Sequence, residues 1–348
     1  MSSKKCAVCG KTEGLMACSR CKTTMYCSPQ HQKEDWKRHK PLCKPPSATK
    51  PPQQQQQQQP ADPLASYAAA ALANVKDISA LMKEDDTIPA GGFVGDCAEG
   101  RKREWTIAEV EDAITKGSWR NKGKEYWRTS PATVDGMLGG FESVDKADIA
   151  DSKIVLQQLL TGKIDGVPMM RPPMMPRRAV DCGAGIGRVT RYALSNHFEK
   201  VDIVEQDDHL IKASVKYLRE VESHVGTRIC EGLQTFDPTK VDDAVAAGGY
   251  DLIWIQWVVL YLSDTEFVQF LMRCKEALNK ASKGSVIVVK DNITHTNRFW
   301  IDMQDGSIIR SDLHMRTIFK RAGLKLVASR KQPDLPKNLF PVKTYILE

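Results

Sequence analysis

Short apolar runs alternate with longer segments of helical periodicity from residue 178 onward. The runs are four to six residues long and are typical of strands; they lie at 178–182, 201–205, 227–230, 251–255 and 285–290. The segments between them predict helices. Strands that alternate with helices in this way favour a parallel sheet covered by helices, an α/β fold.

Two of the predicted helices carry sequence marks at their ends. Within 264–278, apolar residues recur at i, i+3, i+4, i+7 and i+11, and Ser263 forms a capping box with Glu266. Within 311–322, apolar residues recur at i, i+3, i+4 and i+7, and Gly323 suits the end of the helix. Both segments are therefore predicted to be amphipathic helices.

The last two predicted strands, 324–329 and 342–347, have no helix between them. This indicates an antiparallel pair, which we place at one edge of the sheet. The expected sheet then has five parallel strands and this pair, a seven-stranded variant of the doubly wound fold. Three cysteines that fall on predicted strands or on an apolar helix face are expected to be buried: Cys182, Cys230 and Cys274.

A glycine-rich loop, DCGAGIGR, follows the first of these strands and opens a helix. Its glycines at 183, 185 and 187 let a ligand approach the backbone closely. A dinucleotide-binding loop counted from Gly183 would need a glycine at Arg188, so that pattern fails. The order D-x-G-x-G-x-G instead resembles the S-adenosylmethionine (SAM) loop of class I methyltransferases, whose seven-stranded, Rossmann-like fold has the predicted strand count.

Two charged residues suit this cofactor. Arg188 can pair with its methionine carboxylate through two parallel hydrogen bonds. Glu205 ends the second predicted strand, 18 residues after Gly187, and can accept hydrogen bonds from both ribose hydroxyls. The alternative for Glu205 is a solvated acid at a strand end.

A narrower resemblance covers roughly residues 104–348. The stretches EYWRTSPATVDGMLGG, GLQTF, DLIWIQWVVLYL, VVKDN and WIDMQDGSIIRSD resemble the protein N-terminal methyltransferases, which methylate the α-amino group of chains beginning X-Pro-Lys or X-Pro-Arg. The resemblance implies a cofactor site lined by Gly183, Arg188, Glu205, Leu233, Gln234 and Gln256. Glu205 departs from the Asp that is usual in the family.

The same resemblance implies a groove for the substrate peptide. Trp127 and Trp257 would wall a slot for a proline ring in second position, and Leu138 and Gly139 would lie in a loop that covers the peptide. Asp302 would pair with the Lys or Arg in third position. Ordinary core packing is the alternative for the two tryptophans.

Two further residues take catalytic roles by resemblance. Asn292 would hold the first peptide unit, and Asp305 would lie near the amine as the candidate proton acceptor. A free α-amine has a pKa of about 7.7–8.0, so an acceptor that orients the nitrogen is sufficient. The chain departs from the family at Tyr261, where a His is frequent, and at Phe340, where a Tyr is common. The alternative for Asp302 and Asp305 is that they are turn acids.

A different composition precedes this domain. The pattern C-x2-C-x8-C-x2-C-x5-C-x3-H-x7-H-x3-C spans residues 6–43 and offers eight ligands that zinc prefers. It predicts two structural zinc ions. A disulfide framework is the alternative, but without a signal peptide we expect a reducing compartment, where disulfides are rare.

This spacing, with an aromatic residue before Cys27 and another before His39, resembles a MYND-type zinc finger. Spacing alone permits several ligand pairings. The resemblance implies interleaved sets: Cys6, Cys9, Cys27 and His31 for one zinc, and Cys18, Cys21, His39 and Cys43 for the other. Because so small a module buries little apolar surface, the bound metals should supply much of its folding free energy. The family implies protein binding, often to proline-containing peptides, and makes nucleic acid a less expected partner.

Charge separates this module from the rest of the chain. Residues 1–44 carry ten Lys or Arg and three Asp or Glu, a formal charge of +7 that equals the net charge of the whole chain. Six zinc-bound thiolates would reduce it to +5. A basic face can attract acidic partners, although a solvated face is the alternative.

We therefore expect a finger at 1–44, a linker at 45–103 and a methyltransferase domain at 104–348. The alternatives are an adaptor whose methyltransferase domain is weak or inactive, and a lysine or small-molecule methyltransferase on the same fold. The linker is rich in Pro and Gln at 45–63 and in Ala at 65–83, where a helix is predicted. No apolar run reaches the 18 or so residues that a membrane span needs. The expected location is the cytoplasm, the nucleus or both.

Overall fold

A computed structural model describes residues 5–18, 21, 23–40, 43, 93–94, 104–164, 167–168, 172–337 and 339–348. The predicted Ala-rich helix and most of the predicted linker lie outside these residues. The chain divides into two compact units, Met1–Pro60 and Ala61–Glu348, and each is described by itself. Among the described residues, no helix is both long and apolar enough to cross a bilayer.

The first unit is built around a two-stranded ribbon and one helix. Strands β1 (Met16–Ala17) and β2 (Met25–Tyr26) pair antiparallel, and helix α1 spans Pro29–His39. Ser28 caps α1 by accepting a hydrogen bond from the backbone N–H of His31. The fully buried Tyr26 donates its hydroxyl hydrogen to Asp35 over 2.9 Å, which joins the ribbon to the helix.

The second unit begins with small strands and four helices that precede the main sheet. Its strands are β3 (Phe93–Val94), which pairs with β4 (Glu104–Trp105), and β5 (Lys163–Ile164), which pairs with β6 (Val167–Pro168). Its helices are α2 (Ile107–Thr115), α3 (Ser118–Thr129), α4 (Val134–Met137) and α5 (Asp145–Thr161). We call α2, α3 and α4 the helical cap.

The main sheet has seven strands, as the apolar pattern predicts. They are β7 (Arg178–Cys182), β8 (Lys200–Glu205), β9 (Val225–Cys230), β10 (Leu252–Gln256), β11 (Val286–Asn292), β14 (Leu326–Lys331) and β15 (Val342–Leu347). Between β11 and β14, the short strands β12 (Trp300–Ile301) and β13 (Ile308–Ile309) form a separate hairpin.

The strand order is β14-β15-β11-β10-β7-β8-β9. Strands β7 to β11 are mutually parallel, and β15 runs antiparallel to both of its neighbours. The predicted antiparallel pair is therefore confirmed at one edge. The final strand, β15, is inserted between β14 and β11, so that the outermost strand is β14.

Helices cover the sheet. In chain order they are α6 (Arg188–Tyr192), α7 (Asp208–Tyr217), α8 (Asp242–Ala246), α9 (Asp264–Ala277) and α10 (Asp312–Arg321). Single 3-10 turns lie at Glu142–Val144, Leu194–Asn196, Arg219–His224, Pro238–Lys240 and Val259–Tyr261. The capping box of Ser263 and Glu266 is confirmed, and Gly323 follows α10 with φ +68°.

Two apolar clusters fill the space between the sheet and its helices. One contains Phe267 and Phe319, and the other contains Trp254 and Leu156, all fully buried. Cys182 and Cys274 are buried as predicted. The prediction for Cys230 is wrong, because this cysteine is exposed. It ends β9, the edge strand, where β8 lies on one side alone.

Candidate active site

A pocket opens at the carboxyl ends of β7, β8 and β10. Its walls include the glycine-rich loop after β7, the end of β8, the segment 231–234 and the end of β10. One side of the helical cap closes it. All six residues predicted for the cofactor line this pocket: Gly183, Arg188, Glu205, Leu233, Gln234 and Gln256.

The glycine-rich loop turns sharply beneath the cap. Gly183 and Gly185 have φ values of +73° and +57°. A Cβ atom on Gly185 would lie 2.5 Å from the Sδ atom of Met137, and one on Gly183 would lie 2.6 Å from Val258 Cβ. A side chain at either position would therefore collide with the cap or with the segment that follows β10, so these two turns require glycine.

Glu205 ends β8 inside the pocket and is buried. Its two carboxylate oxygens accept hydrogen bonds from the backbone N–H groups of Gly185, over 2.9 Å, and Asp207, over 3.0 Å. Burial raises the pKa of Glu205 despite these hydrogen bonds. Each oxygen keeps a second lone pair, so the carboxylate fits a ligand that presents a pair of hydroxyls.

Arg188 begins α6 and faces two acids of α5. Its guanidinium pairs with Asp145 over 2.9 Å and with Asp148 over 2.6 Å, and it lies 5.6 Å from the ring centre of Trp257. Asp145 and Asp148 thus compete with a ligand carboxylate for the Arg188 guanidinium. The guanidinium has five N–H donors, so these two acids do not exhaust it.

Asp148 connects two residues predicted for the cofactor, Arg188 and Gln256, to the centre of the sheet, and the sequence analysis missed it. It is fully buried and accepts hydrogen bonds from Arg188 and from Gln256 Nε2, the latter over 2.9 Å, while Lys290 Nζ lies 2.7 Å away. Burial opposes the ionisation of Asp148, but the positive charges of Lys290 and Arg188 outweigh it and lower the pKa of Asp148. A detectable signal was its position on the apolar face of α5, four residues before the buried Ser152.

The other end of the pocket carries the aromatic residues predicted for the peptide. Trp127, Trp257 and Tyr261 all line it. The rings of Trp127 and Tyr261 meet edge to face with centroids 6.2 Å apart. Trp257 has φ +51°, and within the part of the chain that the structure describes its buried Nε1 has no hydrogen-bond partner. An indole held in strained backbone with an unused donor points to a ligand.

The loop between β12 and β13 reaches the same wall. Asp305 accepts a hydrogen bond of 2.6 Å from Tyr261 and another of 2.9 Å from the backbone N–H of Ser307, and Gly306 lines the pocket. Asp302 accepts a hydrogen bond from the backbone N–H of Gln304 over 2.7 Å. The structure therefore brings this acidic loop to the pocket that contains the glycine-rich loop.

Five of the predicted site residues are not among those that line the pocket: Asn292, Asp302, Asp305, Leu138 and Gly139. Asn292 ends β11, whose neighbour β10 ends at the lining residue Gln256. Leu138 and Gly139 directly follow Met137, which lines the pocket. Asp302, Asp305, Leu138 and Gly139 thus lie within about four residues of a lining residue along the chain, and the roles of all five remain predictions.

The eight predicted zinc ligands form two clusters. Cys6, Cys9, Cys27 and His31 form one, and Cys18, Cys21, His39 and Cys43 form the other; within each, the ligand atoms lie within 4.8 Å of one another. These are the interleaved sets that the resemblance implies, and four sulfur or nitrogen atoms at this spacing fit tetrahedral zinc.

Local hydrogen bonds prepare two of these thiols for metal. Burial opposes ionisation of Cys6, yet hydrogen bonds from backbone N–H groups and from His31 lower its pKa to about 5. The Thr23 hydroxyl, 3.1 Å from Cys21 Sγ, is the largest cause that lowers the pKa of Cys21 to about 5. The thiolate is the form of cysteine that binds zinc.

Comparison with known proteins agrees with both units. Residues 115–348 match the family model described as AdoMet dependent proline di-methyltransferase, and residues 6–43 match the MYND finger. Alpha N-terminal protein methyltransferase 1 of Dictyostelium discoideum is 37% identical over 241 residues, which is 69% of this chain and 83% of that protein. N-terminal Xaa-Pro-Lys N-methyltransferase 1 of Xenopus tropicalis is 37% identical over 65% of this chain and 93% of its own length.

A solved structure is also similar. A SAM-dependent methyltransferase of Leishmania major superposes with a TM-score of 0.61 and 32% sequence identity, covering 74% of this chain and 96% of its own. The glycine-rich loop, the acid at the end of β8 and the seven-stranded sheet agree with this relationship. The chain therefore belongs to the AdoMet-dependent proline di-methyltransferase family of SAM-dependent methyltransferases, and it carries a MYND zinc finger ahead of that domain.

Proposed function

We propose that this enzyme transfers methyl groups from SAM to the α-amino group of protein chains that begin X-Pro-Lys or X-Pro-Arg. The observation that carries the proposal is the shared pocket: Gly183 and Glu205 lie at one end, and Trp127, Trp257 and Tyr261 lie at the other. The relatives named above add support, because their names specify protein N-termini or Xaa-Pro-Lys chains.

In this proposal the cofactor lies against the glycine-rich loop. Glu205 accepts from the ribose hydroxyls, Arg188 binds the methionine carboxylate, and Leu233, Gln234 and Gln256 complete the wall. When bound, SAM supplies an electrophilic methyl group. The spare lone pairs on Glu205 and the place of the loop on the wall of the same pocket are what make the residues fit.

The peptide enters from the aromatic end. Trp127 and Trp257 wall the slot for the proline ring, and the chain around Leu138 and Gly139 covers the peptide. Asp302 attracts the basic side chain in third position. Since the two indoles are half-buried and line the pocket, they suit a ring that must slide between them.

Asp305 and Asn292 act on the amine and the first peptide unit. About a tenth to a fifth of a free α-amine is already neutral at pH 7, given its pKa. The carboxylate of Asp305 therefore needs to orient the nitrogen and take up a proton, and strong basicity is unnecessary. Tyr261 holds that carboxylate by its 2.6 Å hydrogen bond and does not replace it as a base.

The finger contributes recruitment. Each of its two clusters supplies four ligands, which closes a tetrahedral zinc and leaves no open position for chemistry. We propose that it binds a protein partner, with a proline-containing peptide as the expected ligand, and raises the local concentration of substrate near the domain. The nine cysteines that the structure describes form no disulfide, which suits a reducing compartment and agrees with the cytoplasm or nucleus.

Mass spectrometry tests this function directly. The full chain is incubated with SAM and a peptide that begins Ala-Pro-Lys, and the methylated atom is located by fragmentation. Controls are the same peptide with an acetylated amino terminus and a peptide with Ala in second position. We expect the α-amine of the Ala-Pro-Lys peptide to be methylated and neither control peptide to be methylated at its amino terminus. Methylation of lysine ε-amines, or cofactor binding with no product on any peptide, would contradict the proposal.

A further inference from the structure

His209 lies between two hydrogen-bond acceptors at the edge of the pocket. Its Nδ1 is 2.8 Å from the Asp207 carboxylate, and its Nε2 is 3.1 Å from the backbone carbonyl oxygen of Ser130. A neutral imidazole has one N–H group and can satisfy one of these acceptors. Both are satisfied when the ring carries two N–H groups, which is the imidazolium form.

The surroundings favour that charged form. The hydrogen bond to Asp207 is the largest cause that raises the pKa of His209; burial opposes it, and the Ser130 carbonyl and the Glu205 charge assist. Asp207 and Glu205 are the charged groups that face the ring from the β8–α7 connection. On its own helix, Asp208 is already paired with Lys212 over 2.5 Å. The imidazole is 37% exposed, so solvent protons reach it readily.

The two acceptors belong to different parts of the site. Ser130 directly follows α3, the cap helix that carries Trp127, and the chain continues from there to Met137 on the pocket wall. Asp207 follows Glu205, the acid at the end of β8, and its backbone N–H donates to Glu205. One imidazole therefore joins the substrate side of the pocket to the cofactor side.

We propose that protonated His209 is a positioning residue that latches the helical cap onto the segment carrying Glu205. It touches neither substrate nor cofactor and acts through Ser130 and Asp207. The proposal rests on the assignment of Glu205 to the cofactor site. The latch has a definite sign with pH: because the pKa is raised in the folded protein, the latch is complete below about pH 6.5 and is lost as the pH rises through the raised value.

Hydrogen exchange on the full-length protein without cofactor gives a readout that is independent of methyl transfer. Exchange of the α3 amides, corrected for the intrinsic pH dependence, is followed from about pH 5.5 to 8.5 across the titration range of histidine. We expect the protection factors of the amides near Ser130 to fall about three- to tenfold as the latch opens. A change of this size is the free-energy equivalent of one hydrogen bond. His209→Gln should show the reduced protection at every pH.

Two further variants make the result specific. Asp207→Asn keeps an acceptor but removes the charge, so the midpoint of the loss should shift to lower pH by about one unit. His224→Gln is the matched control, because His224 is also partly buried and lies 3.0 Å from a backbone carbonyl, of Phe198, outside the residues that line the pocket. It should behave as the parent does.

Affinity for S-adenosylhomocysteine, measured by calorimetry, gives the second readout. His209→Gln should weaken binding about three- to tenfold at pH 6 and remove the part of the pH dependence that follows the histidine titration. Protection of α3 that is independent of pH in the parent, or a His209→Gln variant that matches His224→Gln in both readouts, would overturn the proposal. Failure of the peptide assay with both readouts intact would instead count against the proposed substrate alone.

Discussion

The hydroxyl of Tyr261 donates a 2.6 Å hydrogen bond to Oδ2 of Asp305. Burial, together with the charge of Asp305, raises the pKa of Tyr261 well above its ordinary value, so the phenol stays protonated and acts as a donor. In place of the His that the family resemblance implies, this chain thus has a group that orients the acid and takes up no proton. In the proposed mechanism, proton uptake then rests on Asp305 and solvent.

Removal of the Tyr261 hydroxyl is expected to slow catalysis without changing the affinity for the cofactor. Tyr261→Phe keeps the edge-to-face contact with Trp127 but frees the carboxylate of Asp305. We expect kcat to fall about ten- to a hundredfold, the equivalent of one hydrogen bond to a charged group. Equal affinity for S-adenosylhomocysteine in parent and variant is the accompanying result. Tyr192→Phe, at a tyrosine that is 39% exposed, serves as the control. An unchanged kcat would contradict the claim that Tyr261 orients the carboxylate of Asp305 for catalysis.

Glu205 is expected to govern affinity for SAM. Glu205→Ala should raise the Kd of the cofactor by about ten- to a hundredfold, because the ribose hydroxyls and the Gly185 N–H lose a charged acceptor together. Glu205→Asp, the residue usual in the family, should retain most of the affinity. Calorimetric titration measures both, and thermal denaturation verifies that each variant is folded. A Kd within twofold of the parent for Glu205→Ala would contradict the site.

Asp302 is expected to set the preference at the third substrate position. Asp302→Lys should lower kcat/KM for an X-Pro-Lys peptide by about a hundredfold, because an attraction becomes a repulsion at short range. The same variant should gain activity on X-Pro-Glu. Competition between the two peptides, read by mass, gives the ratio in a single experiment. Loss of activity on both peptides to the same extent would point to a structural role for Asp302.

The finger is expected to hold about two zinc ions per chain, since two closed four-ligand clusters are present. Cys9→Ser should leave about one, whereas Cys230→Ser, at an exposed cysteine outside the clusters, should leave both. Acid should release the metal, because thiolate and neutral imidazole are the binding forms. Metal analysis after gel filtration checks all three expectations, and a single ion in the parent would mean that one cluster is not a zinc site.

Most of the sheet and the glycine-rich loop follow from local sequence. Apolar runs bounded by glycine or polar residues locate β7, β8, β10 and β11 to within one or two residues, and the capping box fixes the start of α9. Features that depend on neighbours distant in sequence could not be predicted from local sequence. The insertion of β15 beside β11, and the exposure of Cys230 on an edge strand, are decided by strand order.

The candidate site divides in the same way. Residues carried by motifs, such as Gly183, Glu205 and Trp127, reach one pocket as predicted. Asp148 and His209 have no motif, because Arg188 and Ser130, the partners that define their roles, lie tens of residues away on other elements. A buried acid or a bridging imidazole becomes recognisable when the groups on both sides are known, which a single sequence does not give.

The most direct test of the central claim is the mass of an Ala-Pro-Lys peptide after incubation with this enzyme and SAM, compared with the Asp305→Asn variant. The account predicts added methyl groups on the terminal nitrogen with the parent and a rate reduced by about a hundredfold or more with the variant. A peptide whose terminal nitrogen stays unmodified while the enzyme binds SAM, or equal rates for both proteins, would contradict it.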